Sequence, residues 1–266
     1  MSGHSKWATT KHRKFAQDAK RSALFSKLSR IITVAARTGG DPNPENNFAL
    51  AAAVEMARMN SMPKDKIDAA IKKATGAGAD GATFEEGTYE GYGPAGVAIY
   101  VEVLTDNRNR TAADVRSAFT HAGGNLGTTG SVAFQFERKG AIAVDKVIVS
   151  DEKKVPDREN AVDEDEFMLA VAEAGGEDYE DQGDSWLVYT AYDQMQDVQK
   201  ALEAQGIEVK GCELTMVPVN TTPVSVADAK KVMRLVDRLE ESDDVQNVYH
   251  TMEMTDEIEA ALEEDE

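Results

Sequence analysis

Cations and aromatic rings alternate near the start of this chain. Lys6, Trp7, Lys11, His12, Arg13, Lys14, Phe15, Lys20 and Arg21 all fall between positions 6 and 21. Lysine and arginine neutralise phosphates without regard to sequence, and exposed aromatic faces stack on bases or pack against ribose. Lys6, Trp7, Lys11, His12, Arg13, Lys14, Lys20 and Arg21 are therefore candidate nucleic-acid contacts. A second candidate group lies in Thr105-Asp106-Asn107-Arg108-Asn109-Arg110-Thr111. This segment reads as a strand-to-helix loop with Asn109 as helix N-cap. Arg108 and Arg110 would stand beside the free amides of a helix N-terminus, where an anion is favoured. Both groups have a plainer reading. Trp7 and Phe15 could anchor the segment to its own domain, and the two arginines could pair with nearby acids.

For the lysines of the N-terminal segment the distribution of charge favours phosphate contact; the roles of the aromatic rings and of Arg108 and Arg110 stay open. Met1 to Arg37 carries nine Lys or Arg against a single acid, Asp18, a formal charge of +8, whereas the whole chain is −19. The remainder therefore sums to −27. An acidic body with one positive end has an electrostatic front, and that front suits a polyanionic partner. Cys212 is the only cysteine, which excludes an intramolecular disulfide and any multi-thiolate metal site. No apolar run approaches the roughly 20 residues that span a bilayer, so no membrane partner is expected. The basic start lacks the apolar stretch of a secretory signal, and a cytoplasmic location is expected.

Three helices are predicted to follow the arm. Leu24, Leu28, Ile31, Ile32 and Ala35 fall on one helical face, and Gly39-Gly40 with Asp41-Pro42-Asn43-Pro44 ends that helix. Lys14 and Arg21 would enter its apolar stripe if the helix ran straight back to residue 7, so residues 1 to about 18 read as a separate arm. Leu50, Val54 and Ala57 mark a second helix, and Ile67, Ala70, Ile71 and Ala74 a third behind Pro63. The pattern then becomes mixed. Strands are expected at Gly96–Thr105, Ser131–Glu137, Gly140–Asp145, Ser185–Thr190, Glu208–Val219 and Val245–His250. Helices are expected at Thr111–Ala122, Phe167–Ala174, Gln194–Gln205 and Val226–Leu239.

This order fits an α+β protein: a helical N-terminal domain plus two ferredoxin-like α+β domains, the third inserted into the second. The expected divisions are a basic helical domain with its arm at 1–80, a discontinuous domain at 81–138 and 213–254, and an inserted domain at 139–212. An acidic tail at 255–266 is expected to be frayed or disordered.

Catalytic and cofactor signatures are weak. Gly76, Gly78 and Gly81 follow a predicted helix, and Gly91, Gly93 and Gly96 precede a strand. A dinucleotide site needs strand, glycine turn and helix in that order. The four histidines have no partner at metal-ligand spacing, and no nucleophile sits with a base. No enzyme, cofactor or metal is expected.

Longer motifs point to a family. GHSKW (Gly3–Trp7), KHRKFAQDAKR (Lys11–Arg21) and GGDPNPENN (Gly39–Asn47) are followed by YEGYGPAGVAIYVEVLTDNRNRT (Tyr89–Thr111). GGNLGTTGSVAFQF (Gly123–Phe136) and RLVDRLEESDDVQNVYH (Arg234–His250) complete the set. Across nearly its full length the chain resembles the YebC/PmpR family, whose eukaryotic relatives include a mitochondrial translational activator. The resemblance implies three domains with one inserted in another, and a nucleic-acid contact role for Lys6, Lys11, Arg13, Lys14, Lys20 and Arg21. It also implies either DNA-binding transcriptional regulation or ribosome-associated relief of stalled translation. Val147–Val162 looks inserted relative to the shorter family pattern. The expected partner is thus ribosomal RNA or DNA, with the ribosome as a further candidate, and a monomer is expected. Two other classes stay open: a protein-interaction module, and an enzyme with an acidic interdomain cleft.

Overall fold

Helical periodicity in the first part of the chain produces a three-helix bundle. The structure, a computed structural model, describes residues 17–75, 84–149 and 157–264. Helices α1 (Gln17–Thr38), α2 (Phe48–Met59) and α3 (Lys64–Thr75) share one core. It contains Phe25, Leu28, Ile32, Leu50, Val54, Ala57, Ile67 and Ala70. Phe25 is buried where Leu24 was expected, and Leu24 is exposed. The Phe25 ring also carries the Lys66 ammonium 4.9 Å from its centroid. Asn47 closes the α1–α2 turn. Its Oδ1 accepts from Leu50 N as the N-cap of α2, and its Nδ2 donates to the Ala35 and Asp41 carbonyls. A Cβ on Gly39 would lie 2.1 Å from that amide, so only glycine lets the two approach.

The first sheet follows. Strand β1 (Glu85–Tyr92) pairs with β2 (Ala98–Thr105) along its whole length, from Glu85↔Thr105 to Tyr92↔Ala98. After helix α4 (Arg108–His121) comes a two-residue strand, β3 (Asn125–Leu126), which pairs with the end of β1. A Cβ on Gly91 would meet the Asn125 carbonyl at 2.5 Å, so this pairing also needs glycine.

The inserted unit, Phe136–Val219, is compact in itself. It contains β4 (Phe136–Asp145), the short pair β5 (Val147–Ile148) and β6 (Arg158–Glu159), and α5 (Glu164–Ala174). Then come β7 (Asp178–Asp181), β8 (Ser185–Ala191), α6 (Met195–Ala204) and β9 (Gly211–Pro218). Its antiparallel sheet has the order β7-β8-β4-β9, the ferredoxin-like arrangement. Phe167, Val171, Val198 and Leu202 of α5 and α6 pack on Ile142, Val144, Trp186 and Val188, all on one face of the sheet. Phe167 stacks on Trp186 at 5.2 Å, and Trp186 Nε1 donates to the Ala161 carbonyl.

The chain then completes the first sheet with α7 (Val226–Glu240) and β10 (Val245–His250). The order is β10-β2-β1-β3. This is again ferredoxin-like in space, with the strand that would follow β3 supplied instead by β1, ahead of β2. Phe119 and Val115 of α4 join Val232, Leu235, Val236 and Leu239 of α7 in one core with Ile99, Val101 and Val103.

Three expectations are corrected. Ser131–Glu137 is not a strand. A short 3-10 turn occupies Ala133–Gln135, and one continuous strand runs from Phe136 to Asp145. The N-cap of α4 is Asn107, not Asn109, with Oδ1 accepting from Arg110 N at 3.1 Å. The region from Thr255 is not frayed. Thr255 caps helix α8 (Asp256–Glu263), whose Ile258 is buried in the sheet's core with Leu262 packed against it.

Candidate nucleic-acid interface

Helix α1 carries the cationic N-terminal segment, and two of its basic residues fix its position. Lys27 Nζ donates to the Glu240 carbonyl at the end of α7, 2.8 Å away. Arg30 donates to the Leu104 carbonyl at 3.2 Å and to the Asp244 carboxylate, and its guanidinium lies 5.5 Å from the centroid of the Phe84 ring. The bundle is thereby tied to the first sheet and α7 through the middle of α1.

Asp244 is the centre of this tie. Its side chain is 5% exposed and is met by Arg30, by Arg110 Nη2 at 2.9 Å, and by the Thr111 and Thr105 hydroxyls at 2.8 and 3.2 Å. Burial alone would raise its pKa, but the hydrogen bonds from Arg30, Arg110 and Thr111 outweigh burial and lower it to about 2. A carboxylate held ionised and saturated by donors is a structural anion and a poor general base. Nothing in the sequence singled out Asp244 among so many acids.

The sequence-predicted contacts fall into three groups. Lys6, Trp7, Lys11, His12, Arg13 and Lys14 lie outside the described residues. Lys20 and Arg21 lie near the start of α1. Arg108 and Arg110 stand on the first turn of α4, Arg108 inside the helix instead of in the loop before it, and both meet acids. Arg110 bridges Asp106 and Asp244, which raise its pKa, while the more exposed Arg108 reaches Glu85 at 3.5 Å. The structure thus brings Arg30 and Arg110 together on one carboxylate.

Sequence reasoning passed over two further features. Helix α3 presents exposed Lys64, Lys72 and Lys73 on the same bundle as α1. The signal was there, in the lysines of KDKIDAAIKKAT around an apolar stripe. The loop after β3 is held by Glu90, whose carboxylate accepts from Gly130 N at 2.7 Å and from Val132 N and Ala133 N at 2.8 Å. Burial raises the pKa of Glu90, but these three amides lower it by more.

Gly91, Gly93 and Gly96 lie at the turn between β1 and β2 with no helix following, so they form no dinucleotide site. Among the described residues, no group of three His, Cys, Asp or Glu side chains could hold a metal ion. Among them too, no helix is long and apolar enough to cross a membrane.

Two family models cover most of the sequence. Residues 5–77 match the TACO1/YebC protein N-terminal domain, and residues 84–252 match the TACO1/YebC second and third domain. The chain belongs to the TACO1/YebC family. A Rubrobacter xylanophilus relative named "Probable transcriptional regulatory protein" is 50% identical over 98% of this chain and 99% of its own. A similarly named Mycolicibacterium smegmatis relative is 46% identical over the full length of both. The crystal structure of a conserved hypothetical protein from Aquifex aeolicus, 42% identical, superimposes with a TM-score of 0.79 over 96% of this chain and 99% of that one. The family's division into an N-terminal domain and a two-domain remainder agrees with the bundle and two sheets described above.

Proposed function

We propose that this chain is a non-enzymatic regulator of gene expression that binds nucleic acid through the cations at its N-terminal end. The observation that carries the reading is the charge reversal along the chain, +8 up to Arg37 against −27 beyond it. Lys27 and Arg30 are engaged in holding α1. Phosphate contact is therefore assigned to Lys6, Lys11, Arg13, Lys14, Lys20 and Arg21, with Trp7 and His12 beside them and Arg108 as a secondary contact. The names of the relatives support a role in transcription regulation for this chain as well.

RNA, including that of the ribosome, fits the interface better than sequence-specific duplex DNA. Readout of base edges needs a helix free to enter the major groove. From residue 23 to Arg37, α1 exposes only Leu24 to a high degree, so that stretch is occupied with packing. Cations and aromatic faces that grip backbone and unstacked bases suit structured or single-stranded RNA. The DNA reading rests on the relatives' names.

Salt dependence tests the proposal. Each phosphate neutralised contributes about −0.7 to the log–log slope on single strands and about −0.9 on duplex DNA. Reversing Lys11, Arg13 and Lys14 to glutamate together should flatten that slope and abolish co-sedimentation with ribosomes. Binding that survives this triple change intact would remove the arm from the mechanism. Crosslinking in cells followed by sequencing of bound RNA and DNA separates the ribosomal from the promoter target.

A further inference from the structure

Helices α4 and α7 form one layer on the first sheet, joined in a single core by Val115, Phe119, Val232 and Leu235. The charge of that layer differs from that of the chain around it. Helix α7 has Lys230, Lys231, Arg234 and Arg238 against Asp228, Asp237 and Glu240. Helix α4 has Arg108, Arg110 and Arg116 against Asp114. The two helices together are therefore +3, within a sequence that sums to −27 beyond Arg37. The strands run the other way: β1 and β2 hold four glutamates and no lysine or arginine.

Helical spacing sorts the side chains of α7. Ala229, Val232, Leu235, Val236 and Leu239 are buried, whereas Arg234 and Arg238 stand one turn apart on the opposite side and are exposed. Most arginines of this acidic chain are taken up by carboxylates. Arg30, Arg58, Arg108, Arg110 and Arg158 each meet one, and Arg138 lies over the Tyr192 ring. Among the described residues, Arg234 and Arg238 meet no carboxylate at ion-pair distance, and exposed Arg116 on α4 is in the same position. Lys231, by contrast, is held by Asp228 at 2.8 Å.

The chemistry of this surface narrows what it can receive. Among the described residues, no large apolar side chain is exposed on α4 or α7. A protein partner would need apolar anchors there, and a membrane would need the apolar face that α7 has already buried. Unpaired guanidinium groups about 6 Å apart along a helix axis suit a chain of phosphates instead. We propose that the outer surface of this layer is a second phosphate-contact surface, with Arg234 and Arg238 as its principal residues and the backbone of a structured RNA as its ligand. It rests on the nucleic-acid reading above and extends it. Lys27 Nζ, on the Glu240 carbonyl, sets the end of α7 against α1, the helix that follows the N-terminal cations. One RNA held at both places would be bound more tightly than by either alone.

Fluorescence anisotropy of the full chain with a labelled RNA hairpin, over a series of salt concentrations, tests it. Arg234→Gln/Arg238→Gln should flatten the log–log slope by about 1.4 to 1.8 and weaken binding about tenfold or more at 0.1 M salt. Melting temperature should change little, and Arg234→Lys/Arg238→Lys should restore the slope, because a phosphate needs only the charge. Lys200→Gln on α6, also exposed, should leave it unchanged. If Arg238, in the last turn of α7, proves to hold the helix, Arg234→Gln alone decides the matter with half the shift. An unchanged slope in the glutamine variants, an equal loss per charge in Lys200→Gln, or an effect on duplex DNA but not on RNA would each overturn the assignment. Loss in the α7 pair with none in the Lys11, Arg13 and Lys14 triple would keep this surface and remove the arm. The reverse would keep the arm and remove this surface.

Discussion

Arg30 on α1 and Asp244 just before β10 are 214 positions apart in sequence and joined by a direct ion pair. With Arg110 and Thr111 on the same carboxylate, that pair fastens the helical bundle to the first sheet. Asp244→Ala would strip Arg30, Arg110, Thr105 and Thr111 of the carboxylate they share, although Arg110 keeps Asp106 and Arg30 keeps the Leu104 carbonyl. The urea midpoint should fall. A midpoint unchanged by Asp244→Ala would show that the bundle is held by other means.

The same carboxylate sets a pH dependence. Its folded pKa of about 2 lies below the ordinary value of 3.8. The folded state therefore binds its proton less readily than the unfolded chain does. Its contribution is fully present above the unfolded pKa and disappears as pH falls from about 4 through 2. By linkage this amounts to roughly 2 kcal/mol. Denaturation midpoints measured across that window should decline more in the unaltered protein than in Asp244→Asn, which has nothing to titrate there.

Glu90 should be needed for the order of the 127–133 loop. Alanine at this position would strip the partner from three amides, at a cost of about 3 kcal/mol. Amide exchange at Gly130, Val132 and Ala133 should accelerate well before the surrounding sheet opens. Equal exchange in Glu90→Ala would show that the loop is set by its own turns.

Arg108 and Arg110 should separate by assay. Arg110→Gln removes a guanidinium from the buried hub and should lower stability. Arg108→Gln breaks only an exposed pair with Glu85, worth at most about 1 kcal/mol. If the α4 turn assists in gripping nucleic acid, Arg108→Gln should weaken binding with little change in melting temperature. Unchanged affinity would confine the interface to the N-terminal segment.

The helices and the fold class could be read from the sequence because burial imposes a period on it. Val232, Leu235, Val236 and Leu239 are inward-facing as their spacing demands, and all are buried. Strands without such a signature escaped notice. β1 reads EEGTYEGY and β7 reads DYED, polar or glycine-bearing segments recruited by a neighbour instead of by their own apolar alternation. The strand expected from Ser131 fails for a different reason. Glu90 takes the amides of Val132 and Ala133 that a ladder would have used. The Asp244 hub is hidden because its members are far apart in sequence, and the helix that carries Arg108 and Arg110 starts two residues earlier than its capping pattern suggests.

The C-terminal helix makes a further test. Ile258 and Leu262 insert into the core of the first sheet, so ending the chain at residue 254 removes packing as well as charge. Losing one fully buried isoleucine costs about 2–5 kcal/mol by analogy with truncation to alanine. A clear drop in melting temperature is expected. A truncated protein as stable as the full chain would show α8 to be a dispensable appendage.

The inserted unit begins at Phe136 and ends near Pro218, and these two residues are register partners on adjacent strands. The chain therefore leaves the host and returns to it across a gap of roughly one strand spacing, about 4.8 Å. To the host, some eighty residues have the footprint of a tight hairpin. Such a module can be exchanged, lengthened or excised at a single seam without re-registering any strand of the first sheet. Among the described residues the inserted unit shares no register pair with β2 or β10, the strands beside Asp244.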